Sequence, residues 1–208
     1  MAHILIFGAS TVWGAWDTAQ GWVQRLRKWV DPMHKDPGFY CLVYNCGVSS
    51  ESTDDILKRF ETETKARSEE DGVKAIIFHL CGNDAQFSKA KNKFKVPPKR
   101  FRENVKKLIK QAKKYCKRVA FVASPLIDES KTNPISWNKD QFTKNKDLKI
   151  YDGIVESLCR EKNVSFVRFD TKDWIKTCLA PDGLHANDKG HKRICEVVKH
   201  FLVKNNWI

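Results

Sequence analysis

No apolar run in this 208-residue chain approaches the roughly 18 residues that cross a bilayer, so a helical span is not its organising feature. The opening stretch MAHILIFGAS is apolar but short, lacks a basic leader and ends in a turn signal. It reads as a first strand and not as a secretory signal. No pair of cysteines has CxxC spacing, and the Cys and His residues scatter without ligand spacing, which argues against zinc. The seven cysteines (Cys41, Cys46, Cys81, Cys116, Cys159, Cys178 and Cys195) are odd in number, and several sit inside apolar runs, where a thiol acts as a small hydrophobe. That usage predicts free thiols and a cytoplasmic location. There is no internal repeat and no low-complexity tract.

What is present bounds the class. Hydrophobic residues make up 41%, enough for a proper core, and the length predicts one domain over residues 1–208. The net charge is +13. Its lysines spread over predicted helices and loops, as in KNKFKVPPKRFRENVKKLIKQAKK, a pattern of solvated faces. The charge favours acidic substrates near the surface and predicts no specific nucleic-acid partner.

Five short apolar runs stand out: 3–7, 40–44, 74–80, 119–123 and 164–169. Their near-continuous apolar character predicts strands buried on both faces of a parallel sheet. Helical spacing separates them, over 18–30, 53–66 with an N-cap at Ser52 or Thr53, 99–115, 148–160 and 188–203. Strand–helix alternation implies right-handed crossovers and an α/β fold, a three-layer α/β/α sandwich. The polar segment 128–147, with Pro134 and Trp137, reads as an ordered excursion.

In such a sheet ligands bind beyond the carboxyl ends of the strands. The first strand ends in Gly8-Ala9-Ser10-Thr11, where Ser10 is either a helix cap or a nucleophile. The second ends in Asn45-Cys46-Gly47, whose glycine leaves its backbone N–H open. The third ends in Cys81-Gly82-Asn83-Asp84, a good turn sequence that also aims an Asn83 carboxamide into the cleft. After the last strand comes PDGLHANDKGH, where Asp182 and His185 stand three apart and share one side of a turn. Each segment alone is weak. Together they supply a nucleophile, amide donors and a His–Asp pair in order on one edge, the parts of an acyl-transfer site. Gly8, Gly47, Gly82 and Gly183 fall inside these four segments, as close backbone approach to a ligand requires.

With these residues in place the chain resembles the SGNH (GDSL-like) hydrolases, whose four blocks supply Ser, Gly, Asn and His. GAS at Ser10, NCG at Gly47, GND at Asn83 and DGLH at Asp182 and His185 match them, from Ser10 to His191. Two departures stand out: Ala9 replaces the family's Asp, and no glycine stands near Ser50, where the second block usually carries one. The resemblance implies a flavodoxin-like sheet of five parallel strands in the order 2-1-3-4-5, and a serine esterase or acylhydrolase.

The expected mechanism is attack by Ser10 Oγ on an ester carbonyl, with His185 as base and Asp182 fixing its tautomer. The Ser10 and Gly47 N–H groups and the Asn83 side chain form the expected oxyanion hole. The substrate is a small-molecule ester, and no metal or organic cofactor is expected. The alternatives are a binding protein that kept the fold and lost the reaction, on the hint of Ala9, a flavodoxin-type module, and a nucleic-acid binder. Trp13, Trp16 and Trp137 read as packing residues ahead of an acyl or sugar platform. His79 reads as a satisfied core histidine, and His191 as facing a helix or cap.

Overall fold

The structure, a computed structural model, describes residues 2–36, 38–68, 72–80 and 82–208. Five parallel strands form the central sheet: β1 (Ala2–Gly8), β2 (Cys41–Gly47), β3 (Val73–His79), β6 (Val119–Val122) and β8 (Ser165–Val167). Their order is β2-β1-β3-β6-β8, the expected 2-1-3-4-5 when only these strands are counted. The helices between them are α1 (Ser10–Trp13), α2 (Gly21–Val30), α3 (Thr53–Ala66), α4 (Pro98–Ala112), α5 (Glu129–Thr132), α6 (Asn145–Glu161), α7 (Trp174–Thr177) and α8 (Asp188–Lys204).

The strands are apolar throughout because both faces are covered. In β1 the side chains alternate between two cores. Leu5 and Phe7 join Phe60 of α3, Val105 of α4 and Leu158 of α6, while Ile4 and Ile6 join Trp22 and Leu26 of α2 and Ile194 of α8. The period of two along one strand thus assigns the helices to opposite layers.

Element ends follow local chemistry. Helix α3 has the expected bounds, because Ser52 and Asp55 form a reciprocal capping box. Helix α2 begins at Gly21, later than the periodicity predicts. Gln20 adopts a left-handed φ of 66°, and Asp17 accepts from the Ala19 and Gly21 amides at 3.2 and 2.9 Å, so a turn occupies the first predicted helical residues. Strand β2 runs past Tyr44 to Gly47, whose partner in β1 is Gly8.

A second sheet is not foreshadowed in the sequence. β4 (Phe87–Ser88), β5 (Lys93–Phe94) and β7 (Gln141–Phe142) pair antiparallel in the order β5-β4-β7. It fastens the excursion after β6 to the loop after β3. Cys41, Cys46, Cys116, Cys159, Cys178 and Cys195 are free thiols, and Cys81 lies outside the described residues. Among the described residues no helix is long and apolar enough to cross a membrane.

Candidate active site

The carboxyl edge of the sheet gathers Ser10, Asn83, Asp182 and His185. Ser10 is the first residue of α1, and the Val12 and Trp13 amides turn back to Ala9 O at 3.0 and 2.9 Å. The Ser10 and Thr11 amides therefore have no partner within the helix, beside a cavity that both residues line. With alanine at position 9, backbone and neighbours brace this turn. Asn45 Nδ2 donates to Val12 O at 2.8 Å, and the His191 ring bonds Ala15 O at 2.9 Å.

His185 is placed by a turn that needs its glycine. Gly183 has a φ of 71°, and a Cβ there would come within 2.9 Å of the Lys131 side chain. Asp128 N donates to Gly183 O at 2.8 Å and Ala180 N to His185 O at 2.9 Å, tying the turn to α5 and to itself. Asn187 then caps α8, accepting from Gly190 N at 3.0 Å.

Ser10, His185 and Asp182 form an unbroken line of hydrogen bonds in this arrangement. Ser10 Oγ lies 3.0 Å from His185 Nε2, and His185 Nδ1 lies 2.7 Å from Asp182 Oδ2. The carboxylate assigns the ring proton to Nδ1, which leaves Nε2 to accept from the Ser10 hydroxyl. Asp182 Oδ1 accepts from the Leu184 and His185 amides at 2.8 and 2.9 Å. Burial by itself would raise the Asp182 pKa. The hydrogen bonds from the His185 ring and the two amides override it and hold the carboxyl at about 2.

The cavity of about 60 Å³ beside Ser10 has Leu80, Ile127, Leu148 and Leu184 as apolar walls. Asn83 and His79 line it too. Asn83 Oδ1 accepts from Gln86 Nε2 at 3.1 Å, which fixes the amide so that Nδ2 faces the β2 loop, donating to Glu51 O at 2.8 Å. Among the described residues its other N–H bond has no acceptor. His79 is buried in β3 as read, but its Nδ1 has no hydrogen-bond partner among the described residues. Burial, with the charge of His191, pushes it down to about 4 against the Ala123 carbonyl, so it is neutral at pH 7. His191 is buried and satisfied on both nitrogens, by Trp22 N at 3.2 Å and Ala15 O at 2.9 Å.

The structure does not bring Gly47 to this cavity. It lines a separate depression with Trp13, Trp16 and Asn45, and its N–H donates to Asn45 Oδ1 at 2.9 Å. A Cβ at Gly47 would sit 2.3 Å from Trp13 N, so glycine is needed there for packing of β2 on α1. At Gly82, by contrast, a Cβ would meet open space. The signal missed in the sequence is Ser50, which adopts a φ of 65°, the backbone conformation glycine favours. Its carbonyl accepts from Lys95 Nζ at 2.6 Å, and the next residue, Glu51, lines the cavity. The departure from the family's glycine marks the position that keeps the glycine's geometry.

Two tryptophans flank the imidazole. Trp16 meets it edge-on at 5.8 Å, and Trp137 lies nearly parallel at 6.1 Å. Both are exposed, so of the core or interface packing expected for them the core half does not hold. Trp13 is exposed as well.

Asp84 braces the Asn83 turn from behind. Its Oδ1 accepts from Thr53 N at 2.9 Å and Thr53 Oγ1 at 2.6 Å, joining the loop after β3 to the start of α3. Burial pushes its pKa up to about 6, against the Thr53 bonds. A carboxyl raised above its unfolded value of 3.8 binds protons more tightly when folded, so its cost appears as pH rises from 3.8 to about 6. Asp84→Asn keeps an acceptor for Thr53 and removes that cost, by about 3 kcal/mol at most above pH 6. Urea unfolding at pH 4 and pH 7 should show the variant losing less stability than wild type between them. An equal loss in both proteins would place the charge elsewhere.

Residues 6–193 match the GDSL-like lipase/acylhydrolase family. The chain belongs to this family. No curated protein sequence matches it. Solved structures share the fold. A lipase/acylhydrolase from Enterococcus faecalis superposes with a TM-score of 0.75 at 20% identity, covering 99% of this chain and 97% of that one. The psychrotrophic esterase EstA from Pseudoalteromonas sp. gives 0.70 at 17% identity, covering 98% of each. An acetyl xylan esterase from Geobacillus stearothermophilus gives 0.70 at 19%, covering 97% of this chain and 93% of that one. Membership of this family supports ester hydrolysis as the general class of reaction.

Proposed function

We propose that this protein is a serine esterase that hydrolyses esters of short acyl groups through an acyl-Ser10 intermediate. The observation that carries the reading is the unbroken relay from Ser10 Oγ through His185 to Asp182, with bonds of 3.0 and 2.7 Å, at the mouth of a cavity. Ser10 attacks the carbonyl carbon, and its proton passes to His185 Nε2. The imidazolium, held by Asp182, returns that proton to the departing alcohol. Water then adds to the acyl-enzyme with His185 again as base.

The negative oxygen formed in each step needs donors that wait for it. The Ser10 N–H and the other Asn83 Nδ2–H are two. Gly47 is not a third, because its amide donates to Asn45 Oδ1 at 2.9 Å. Asn83→Ala is expected to lower kcat by roughly 10²–10³ with a much smaller change in KM, because the donor acts on charge that develops in the transition state. Steady-state kinetics on an activated ester decide the point. A raised KM with unchanged kcat would make Asn83 a binding residue only.

Acyl size follows from the cavity. A space of about 60 Å³ holds roughly four to six water-sized groups, the size of an acetyl to butyryl chain. A panel of nitrophenyl esters from acetyl to octanoyl, with acetylated sugars alongside, tests both catalysis and size. The rate should peak at the short acyl groups and fall steeply by octanoyl. A maximum at octanoyl contradicts the acyl pocket, and no turnover on any ester contradicts the esterase.

A further inference from the structure

We propose that Trp16 is a positioning residue, whose indole N–H holds the Asp182 oxygen that orients His185. The inference deepens the esterase reading and rests on it. Asp182 has four donors: its Oδ1 takes the Leu184 and His185 amides, and its Oδ2 takes His185 Nδ1 and Trp16 Nε1. Three of these come from the same short turn. Trp16 reaches in from the loop after α1, with Nε1 2.6 Å from Oδ2. Nε1 also lies 3.1 Å from His185 Nδ1, but that nitrogen carries its own proton toward Asp182, so the indole proton goes to the carboxylate.

The loop is built to hold this side chain out. Trp16 is 62% exposed, so burial does not fix it, and its φ of 64° is one that bulky residues rarely adopt. The two residues that follow anchor the conformation. Asp17 accepts from Arg25 Nε and the Gly21 amide at 2.8 and 2.9 Å, and Thr18 donates to Asp188 through its amide and its hydroxyl at 2.9 and 2.5 Å. A left-handed backbone at an exposed residue whose side chain bonds the carboxylate partner of His185 is consistent with a functional demand. The indole edge also stands against the imidazole, opposing rotation of the ring away from Ser10.

The electrostatic consequence has a sign. The indole dipole stabilises charge on Oδ2 and so weakens the pull of Asp182 on the imidazolium. Without it, Asp182 stabilises the imidazolium more strongly, and the acid limb of kcat/KM moves to higher pH. Asp182→Asn moves it the opposite way. The other titratable or charged groups around the cleft are Glu51, His79 and Asp84 on the cavity wall, His191 behind α1, and Asp128 and Lys131 beside Gly183. None of them bonds Asp182 Oδ2.

Trp16→Phe keeps an aromatic edge and removes only the donor, at a site too exposed to threaten folding. The expected result is a kcat about tenfold lower, the loss of one charge-assisted hydrogen bond, with KM within threefold and the acid limb shifted upward. The low-field proton resonance of His185 Nδ1–H should move as well, a readout independent of turnover. A variant with wild-type kcat, limb and resonance overturns the inference, whether or not KM rises. A raised KM in that case would make Trp16 part of the substrate platform. If wild type itself turns over no ester, the esterase reading fails, and the resonance still decides whether Trp16 is coupled to the pair.

Discussion

Ser10→Ala is expected to abolish ester hydrolysis, lowering kcat by about 10⁴-fold or more, and to leave the fold intact. The loss is large because, among the described residues, no other hydroxyl bonds His185 Nε2, and the carbonyl carbon then has no nucleophile but water. The fold survives because Ser10 opens a short helix at the rim of the cavity and is not part of either core. Among the described residues its Oγ bonds only to His185, so truncation there leaves no orphaned group in the interior. The melting temperature should stay within about 2 °C of wild type, since surface substitutions usually change stability by under about 0.5 kcal/mol. Turnover near the wild-type rate in a folded Ser10→Ala protein would remove the serine mechanism.

The second large effect is expected at Asp182. Asp182→Asn should lower kcat by about 10⁴-fold, because the new amide can donate to Nδ1 and so favours the tautomer that protonates Nε2. In that state His185 cannot take the Ser10 proton. The variant still offers an Oδ1 acceptor to the Leu184 and His185 amides, so the turn itself is preserved. Because Asp182 holds a pKa of about 2, it stays ionised across the acid limb of the wild-type profile. The substitution removes a full counter-charge from the imidazolium, so the residual activity should lose its acid limb at lower pH than wild type. The check is a pH–rate profile of both proteins on one activated ester. Equal rates and superimposable limbs would reduce Asp182 to a turn residue.

The carboxylate also contributes to stability. A carboxyl held at about 2 in the folded state, against 3.8 unfolded, adds stability that is present above pH 3.8 and is lost as pH falls through about 2.

Much of this was legible in the chain itself, for physical reasons that differ from residue to residue. The strands were visible because a parallel sheet buried on both faces leaves unbroken apolar runs, as in β1 and β3. The Asp182–His185 pair was visible because a three-residue spacing is a local fact. Ser10 is 175 residues from His185 and became a candidate only through the rule that strand ends share one edge. The small sheet was hidden, since two-residue strands carry no periodicity. Gly47 was the attractive glycine of its block, but its missing side chain admits the backbone of α1. Ser50 takes the glycine-like conformation without a glycine to advertise it. The tryptophans illustrate the same limit. Trp13 and Trp16 are equivalent on paper, and only the structure shows the left-handed backbone at Trp16 and its bond to Asp182.

The most direct measurement of the central claim is covalent labelling of the native protein with a fluorophosphonate, read by intact mass and then by peptide mapping. The reagent phosphonylates a serine only where a neighbouring base removes its proton and an oxyanion site receives the new charge. The account predicts one adduct per chain, located on Ser10, and none on the Asp182→Asn protein over the same time. No adduct on the wild type, or an adduct on any other residue, would contradict it.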